Sequence, residues 1–108
     1  MQKITLLETL RYLKETEKGV LVLFGGKDCG VCQSILPKLT VLMNEHFPCI
    51  NMVYVDCHTA QEVCGQEGVL SLPTLQIFLQ GQCVFEGVRT FSLQHMVDAI
   101  KRPYELVF

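Results

Sequence analysis

Leu6, Leu7, Leu10 and Leu13 recur at helical spacing behind Thr5, with Glu8 three residues after it, and the run ends at Gly19. This pattern predicts a first helix opened by a capping box, following a short strand. Val20 to Phe24 is unbroken apolar sequence rich in β-branched and large residues, as expected of a strand buried on both faces. Gly25-Gly26 ends it. Cys32, Ile35, Leu36, Leu39, Leu42 and Met43 then mark one face of a long helix. Pro37 removes a donor inside that helix and should bend it, and Pro48 closes the segment.

Ile50 to Val55 reads as a second buried strand, joined to the first by a crossover long enough to hold the helix. The two strands should therefore run parallel in a right-handed unit. Thr59 and Glu62 repeat the capping-box spacing and open a short helix ending near Gly65 or Gly68. Leu75, Ile77 and Leu79 alternate along a strand, and Val84 and Phe85 follow a Gln80-Gly81 turn, which makes a hairpin. Ser92 caps a final helix with an apolar stripe of Leu93, Met96, Val97 and Ile100, and Pro103 is expected to stop it. The predicted class is α/β, a central mixed β-sheet flanked by helices on both faces. With no repeat, linker or low-complexity stretch, residues 1–108 read as a single domain.

Composition narrows the partners. The chain has 108 residues, 49% of them hydrophobic, enough to bury a core without cross-links. Its net charge is -2 and its charges are scattered, so nucleic acid and anionic lipid are not expected as partners. No segment approaches a membrane span. Glu8, Arg11, Lys14 and Glu15 interrupt the N-terminal apolar pattern, so no signal peptide is expected. Six cysteines without an export signal point to a reducing cytoplasm, where a close cysteine pair is catalytic or metal-binding more often than structural.

Cys29-Gly30-Val31-Cys32 supplies that pair, at the junction of the first buried strand and the long helix, with Leu72-Pro73-Thr74 opening a later strand. Two residues between cysteines at a helix start let one sulfur attack a disulfide and keep the other near enough to resolve it. Cys29 is the expected attacking thiolate, because unpaired N–H groups and the helix dipole favour negative charge there. Adjacent Asp28 opposes that ionisation and Lys27 favours it, both as screened surface charges. Cys32, one turn inside, is the expected resolving thiol.

The competing reading of the pair is half of a zinc site completed by Cys57, Cys64 or His58. Cys49, Cys57, Cys64 and Cys83 are read most simply as small buried hydrophobes. The alternative for two of them is a regulatory disulfide between Cys57 and Cys64 across the short helix. His46, His58 and His95 show no metal or triad spacing, and Asp56 reads as a strand-end cap.

In these features the chain resembles the thioredoxin family across nearly its whole length. The resemblance is carried by Cys29-Gly30-Val31-Cys32, by Pro37 five residues beyond the second cysteine, and by Asp56 at the end of the next strand. Leu72-Pro73-Thr74, the hairpin at Gly81 and Gly87 complete it. It implies a thioredoxin fold with a cis bond before Pro73, lying against the cysteine pair. Leu72 is then expected to pair its backbone with an extended substrate peptide, and Gly30, Val31, Pro73 and Gly87 to share the substrate surface.

The chain departs from the family at several positions. Asp28 stands where a tryptophan is usual, Leu23 replaces a buried aspartate that helps deprotonate the second cysteine, and Met52 replaces its lysine partner. Gly30-Val31 replaces Gly-Pro.

The expected function is reduction of protein disulfides by dithiol exchange through Cys29 and Cys32, with a separate disulfide reductase as electron donor. No bound cofactor or metal is expected. A monomer is expected, and the apolar tail from Tyr104 to Phe108 either packs back or supports a weak dimer. The contrasting expectation is a non-catalytic interaction module on the same scaffold.

Overall fold

A computed structural model describes residues 1–27 and 29–108. Asp28, and with it the expected contest between its charge and that of Lys27, lies outside the described residues. The elements are β1 (Gln2–Lys3), α1 (Leu7–Thr16), β2 (Gly19–Gly25), α2 (Gly30–His46), β3 (Asn51–Asp56), α3 (Gln61–Gln66), β4 (Thr74–Leu79), β5 (Gln82–Val88) and α4 (Leu93–Val107). The five strands form one sheet in the order β1-β3-β2-β4-β5. β1 and β2 both run parallel to β3, whereas β4 is antiparallel to β2 and β5 to β4.

β2 is central and buried at every position, as its unbroken apolar run requires. Its alternate residues feed two cores. Leu21 and Leu23 join Leu39 and Met43 of α2 and Met96, Val97 and Ile100 of α4 on one face. Val20, Val22 and Phe24 join Leu10 of α1 and Val63 and Cys64 of α3 on the other. The strand that carries the Cys-x-x-Cys motif is thus held from both sides, and the motif emerges at its carboxyl end. The hairpin turn lies at Gln80 and Gly81, with φ of 50° and 80°, the paired positive values of a tight two-residue connection.

Three boundaries differ from the sequence expectation. Thr5 does not cap α1, because the Ile4 N–H bonds the Tyr54 carbonyl at 2.8 Å and the chain stays extended through Leu6. Thr59 does not cap α3 either. The turn there is built by Asp56, whose Oδ1 accepts from the His58 N–H at 2.9 Å while the Thr59 hydroxyl donates to the Asp56 carbonyl at 3.3 Å. Asp56 is therefore the strand-end cap its position suggested.

Pro103 does not stop α4, which continues to Val107. The missing N–H removes one helical bond, and packing beyond it holds the last turn. Tyr104 meets Phe47 edge-on at 5.0 Å and accepts a hydrogen bond from the Cys49 N–H at 3.2 Å, while Phe108 packs on Tyr104 at 4.7 Å. The tail thus packs back on the domain. Ser92 caps α4 as expected, accepting from the His95 N–H at 3.1 Å. Among the described residues no helix is long and apolar enough to cross a membrane.

Candidate active site

Cys29 is the N-cap of α2 and Cys32 lies in its first turn. The two are joined as a disulfide with Cα atoms 5.3 Å apart. Cys29 Sγ accepts a hydrogen bond from the Cys32 N–H at 3.2 Å, so the sulfur itself takes the place of a capping oxygen. The same N–H is aimed at a Cys29 thiolate once the pair is reduced, and the helix dipole adds to it. Exposure separates the two sulfurs. Cys29 is half-buried, whereas Cys32 is 0% exposed.

Leu72-Pro73 is a cis peptide bond. The Leu72 Cδ1 lies 3.4 Å from the point a side chain on Gly26 would occupy, and the Gly26 carbonyl accepts from the Cys29 N–H at 3.2 Å. Gly26 therefore couples the proline loop to the attacking cysteine. Among the described residues neither the N–H nor the carbonyl of Leu72 is engaged by another backbone group, which leaves both open to an extended peptide. Pro73 is buried, and its carbonyl is tied to the Arg89 N–H at 2.7 Å. Gly30 and Val31 are exposed beside the cysteines. Gly87 is placed differently: it is buried opposite Leu75, and a side chain there would fall 2.5 Å from the Phe91 ring.

Residues 4–102 match the family model described as Thioredoxin. The chain belongs to the thioredoxin family. It is similar to thioredoxin of Listeria monocytogenes, 35% identical over 92 residues that cover 84% of this chain and 88% of that one. It is also similar to thioredoxin of Bacillus subtilis, 37% identical over 75 residues covering 68% and 72% respectively. A solved Plasmodium falciparum thioredoxin shares the fold with a TM-score of 0.80 at 20% identity, covering 91% of this chain and 97% of that one.

This thioredoxin-family chain is a thiol-disulfide oxidoreductase, with Cys29 and Cys32 as its bonded pair. The departures from the family pattern are structural facts as well. Leu23 is 0% exposed in the core shared with α2 and α4, and Met52 packs against that same core. No buried acid and base pair therefore lies at those positions.

The remaining cysteines correct the simplest sequence reading. Cys57 and Cys64 are joined as a second disulfide, with Cα atoms 5.7 Å apart, and Cys49 and Cys83 are free and exposed rather than buried. Strand-end and helix positions seven residues apart bring the first two together; the other two lie after α2 and on the edge strand β5. Although the Cys83 residue is exposed, desolvation on the covered side of its thiol raises that group above its ordinary value. Both cysteine pairs of the zinc alternative are thus committed to disulfides, and among the described residues no group of three His, Cys, Asp or Glu side chains is placed to hold a metal.

Sequence reasoning missed Tyr54. A side chain on Gly25 would lie 2.7 Å from the Tyr54 hydroxyl and 3.2 Å from Cys32 Cβ, so this glycine lets the phenol approach the buried cysteine. Burial, and then the nearby Asp56 carboxylate, raise the Tyr54 hydroxyl above its ordinary value. The available signal was a glycine at the end of an otherwise large-residue strand.

Proposed function

We propose that this chain reduces protein disulfides, with Cys29 as nucleophile and Cys32 as resolving thiol. The observation that carries the reading is the unequal exposure of a bonded pair at a helix start. The Cys29 thiolate attacks a substrate disulfide, forming a mixed disulfide and releasing one substrate sulfur as a thiolate that takes a proton. Cys32 then loses its proton and bonds Cys29, breaking the mixed disulfide and releasing the second substrate sulfur. The substrate is reduced by two electrons and the pair is oxidised.

Leu72 docks the substrate by adding a short extended strand to its open backbone groups. Pro73 fixes that segment, Gly30 and Val31 form the exposed contact beside the sulfur, and Gly87 acts from behind by letting Phe91 pack close. The oxidised pair needs a separate disulfide reductase to restore it, and no bound cofactor takes part. A reducing compartment such as the cytoplasm suits the two exposed free thiols, Cys49 and Cys83. The folded-back tail supports a monomer. Residues 1–108 act as one unit in this scheme.

Insulin reduction tests the roles. Cys29→Ser is expected to abolish turnover, and Cys32→Ser to accumulate a mixed disulfide visible by mass spectrometry. Turnover retained by Cys29→Ser would reject the assignment.

A further inference from the structure

Arg89 stands opposite Pro73. Thr74 pairs with Val88 where β4 begins and β5 ends, and the Arg89 N–H donates to the Pro73 carbonyl at 2.7 Å, so the ladder continues one residue beyond β5. Opposed residues of such a pair lie about 5.5 Å apart at Cα. Arg89 is thereby fixed beside the segment that receives the substrate peptide.

The backbone at this position is strained. Arg89 has φ of 65°, and the Thr90 N–H donates to the Val88 carbonyl at 2.8 Å, closing a three-residue turn around it. Glycine adopts that conformation freely, and Asn or Asp offsets it by bonding its own backbone. Arginine does neither. Burial does not offset the strain, because Val88, Arg89 and Thr90 are all exposed. Among the described residues the ion pair is that of Lys14 with Glu67, and it does not involve Arg89. Glu86, the acid of β5, accepts instead from Gln76 Nε2 at 2.8 Å. An exposed, strained arginine contributes little to the fold, and such outliers cluster where ligands are held.

The cations beside the docking segment lie on both sides of it. β4 runs between β2 and β5. Lys27 is exposed and follows Gly26, the residue next to the Leu72 side chain at the end of β2, while Arg89 follows the end of β5.

We propose that Arg89 is a specificity-determining residue, whose guanidinium binds a carboxylate side chain of the peptide docked at Leu72, so that disulfides flanked by acidic residues are reduced in preference to neutral ones. The proposal rests on the reading of this chain as a reductant of protein disulfides. A guanidinium meets a carboxylate through two parallel N–H···O bonds, and a peptide held extended at Leu72 presents its side chains at fixed spacing for that contact. Lys27 adds attraction as a point charge without the same geometry. The exchange between sulfurs is unaltered, and Arg89 takes neither proton nor electron.

The test uses two disulfide peptides, identical except for Glu or Gln beside the cysteines. Each kcat/KM is divided by the rate with dithiothreitol, which cancels the intrinsic reactivity of the peptides. For the wild-type chain at low ionic strength this ratio should favour the Glu peptide about fivefold, and the preference should shrink in about 0.5 M salt. Arg89→Gln should lower the preference at least about threefold, and Arg89→Glu should reverse it. Arg89→Gly, which relieves the turn, serves if Arg89→Gln does not fold. A preference left unchanged in the folded variant, or an equal loss on both peptides, overturns the proposal alone. So does a preference that Lys27→Gln removes while Arg89→Gln does not. A wild-type chain that reduces neither peptide overturns the reductant reading beneath it.

Discussion

Leu23→Asp tests what the buried resolving cysteine lacks. Cys32 is 0% exposed, so its proton has no direct route to water when it must attack Cys29. Leu23 lies on the same face of β2 as Gly25, where an added Cβ would fall 3.2 Å from Cys32 Cβ, and two strand residues span about 7 Å. A carboxylate at position 23 is therefore within reach of the thiol through one water molecule. General-base assistance contributes about 10²–10⁴-fold where alignment is good. Through a bridging water we expect resolution to accelerate by about tenfold or more.

The same substitution should destabilise the fold. Losing a fully buried Leu side chain costs about 1.5–3 kcal/mol. A carboxylate there would have Met52 beside the core where a lysine could have paired with it, so burial raises its folded-state pKa. An acid whose folded pKa exceeds its unfolded value of about 3.9 binds more protons folded than unfolded between the two values. Stability must then fall as pH rises through that window, and the penalty is complete above the folded pKa. Melting at pH 5 and pH 8 should show a larger loss at pH 8 than in wild type. Single-turnover stopped-flow reduction should show faster resolution on the same rise. Leu23→Asn, polar without being basic, should lose stability and gain no rate. If the folded Asp variant resolves its mixed disulfide no faster than wild type, the buried-proton argument is wrong.

Gly25→Ala should displace the Tyr54 hydroxyl, 2.7 Å from the new Cβ, and press on Cys32 at 3.2 Å. We expect a loss of about 1–3 kcal/mol, read as a lower Tm, together with slower turnover. Replacing Cys57 and Cys64 by alanine reopens an eight-residue loop and should cost about 2.5 kcal/mol in chemical denaturation under oxidising conditions. The same change under strong reductant should cost much less. Ser92→Ala removes the acceptor for the His95 N–H and should cost about 1 kcal/mol, with insulin reduction unchanged at temperatures where both proteins are folded.

The legible features in the sequence were those in which one physical requirement dominates a stretch of chain. An apolar run such as Val20 to Phe24 has few alternatives to a doubly covered strand. A cysteine at the start of a helix carries its electrostatics with it, and Ser92 caps because a serine before an apolar stripe supplies the acceptor its N–H groups need. The errors arose where a distant partner competed for the same group. Thr5 would cap α1 if Ile4 were not already held by Tyr54, and Thr59 would cap α3 if Asp56 had not organised the turn first. Pro103 would end α4 if Tyr104 and Phe108 had nothing to pack against. The second disulfide belongs to the same class, because pairing Cys57 with Cys64 depends on how α3 folds back on β3. The parts hardest to read locally are therefore the contacts through which α3 and Tyr54 reach the site, and these distinguish this chain from a generic Cys-x-x-Cys scaffold.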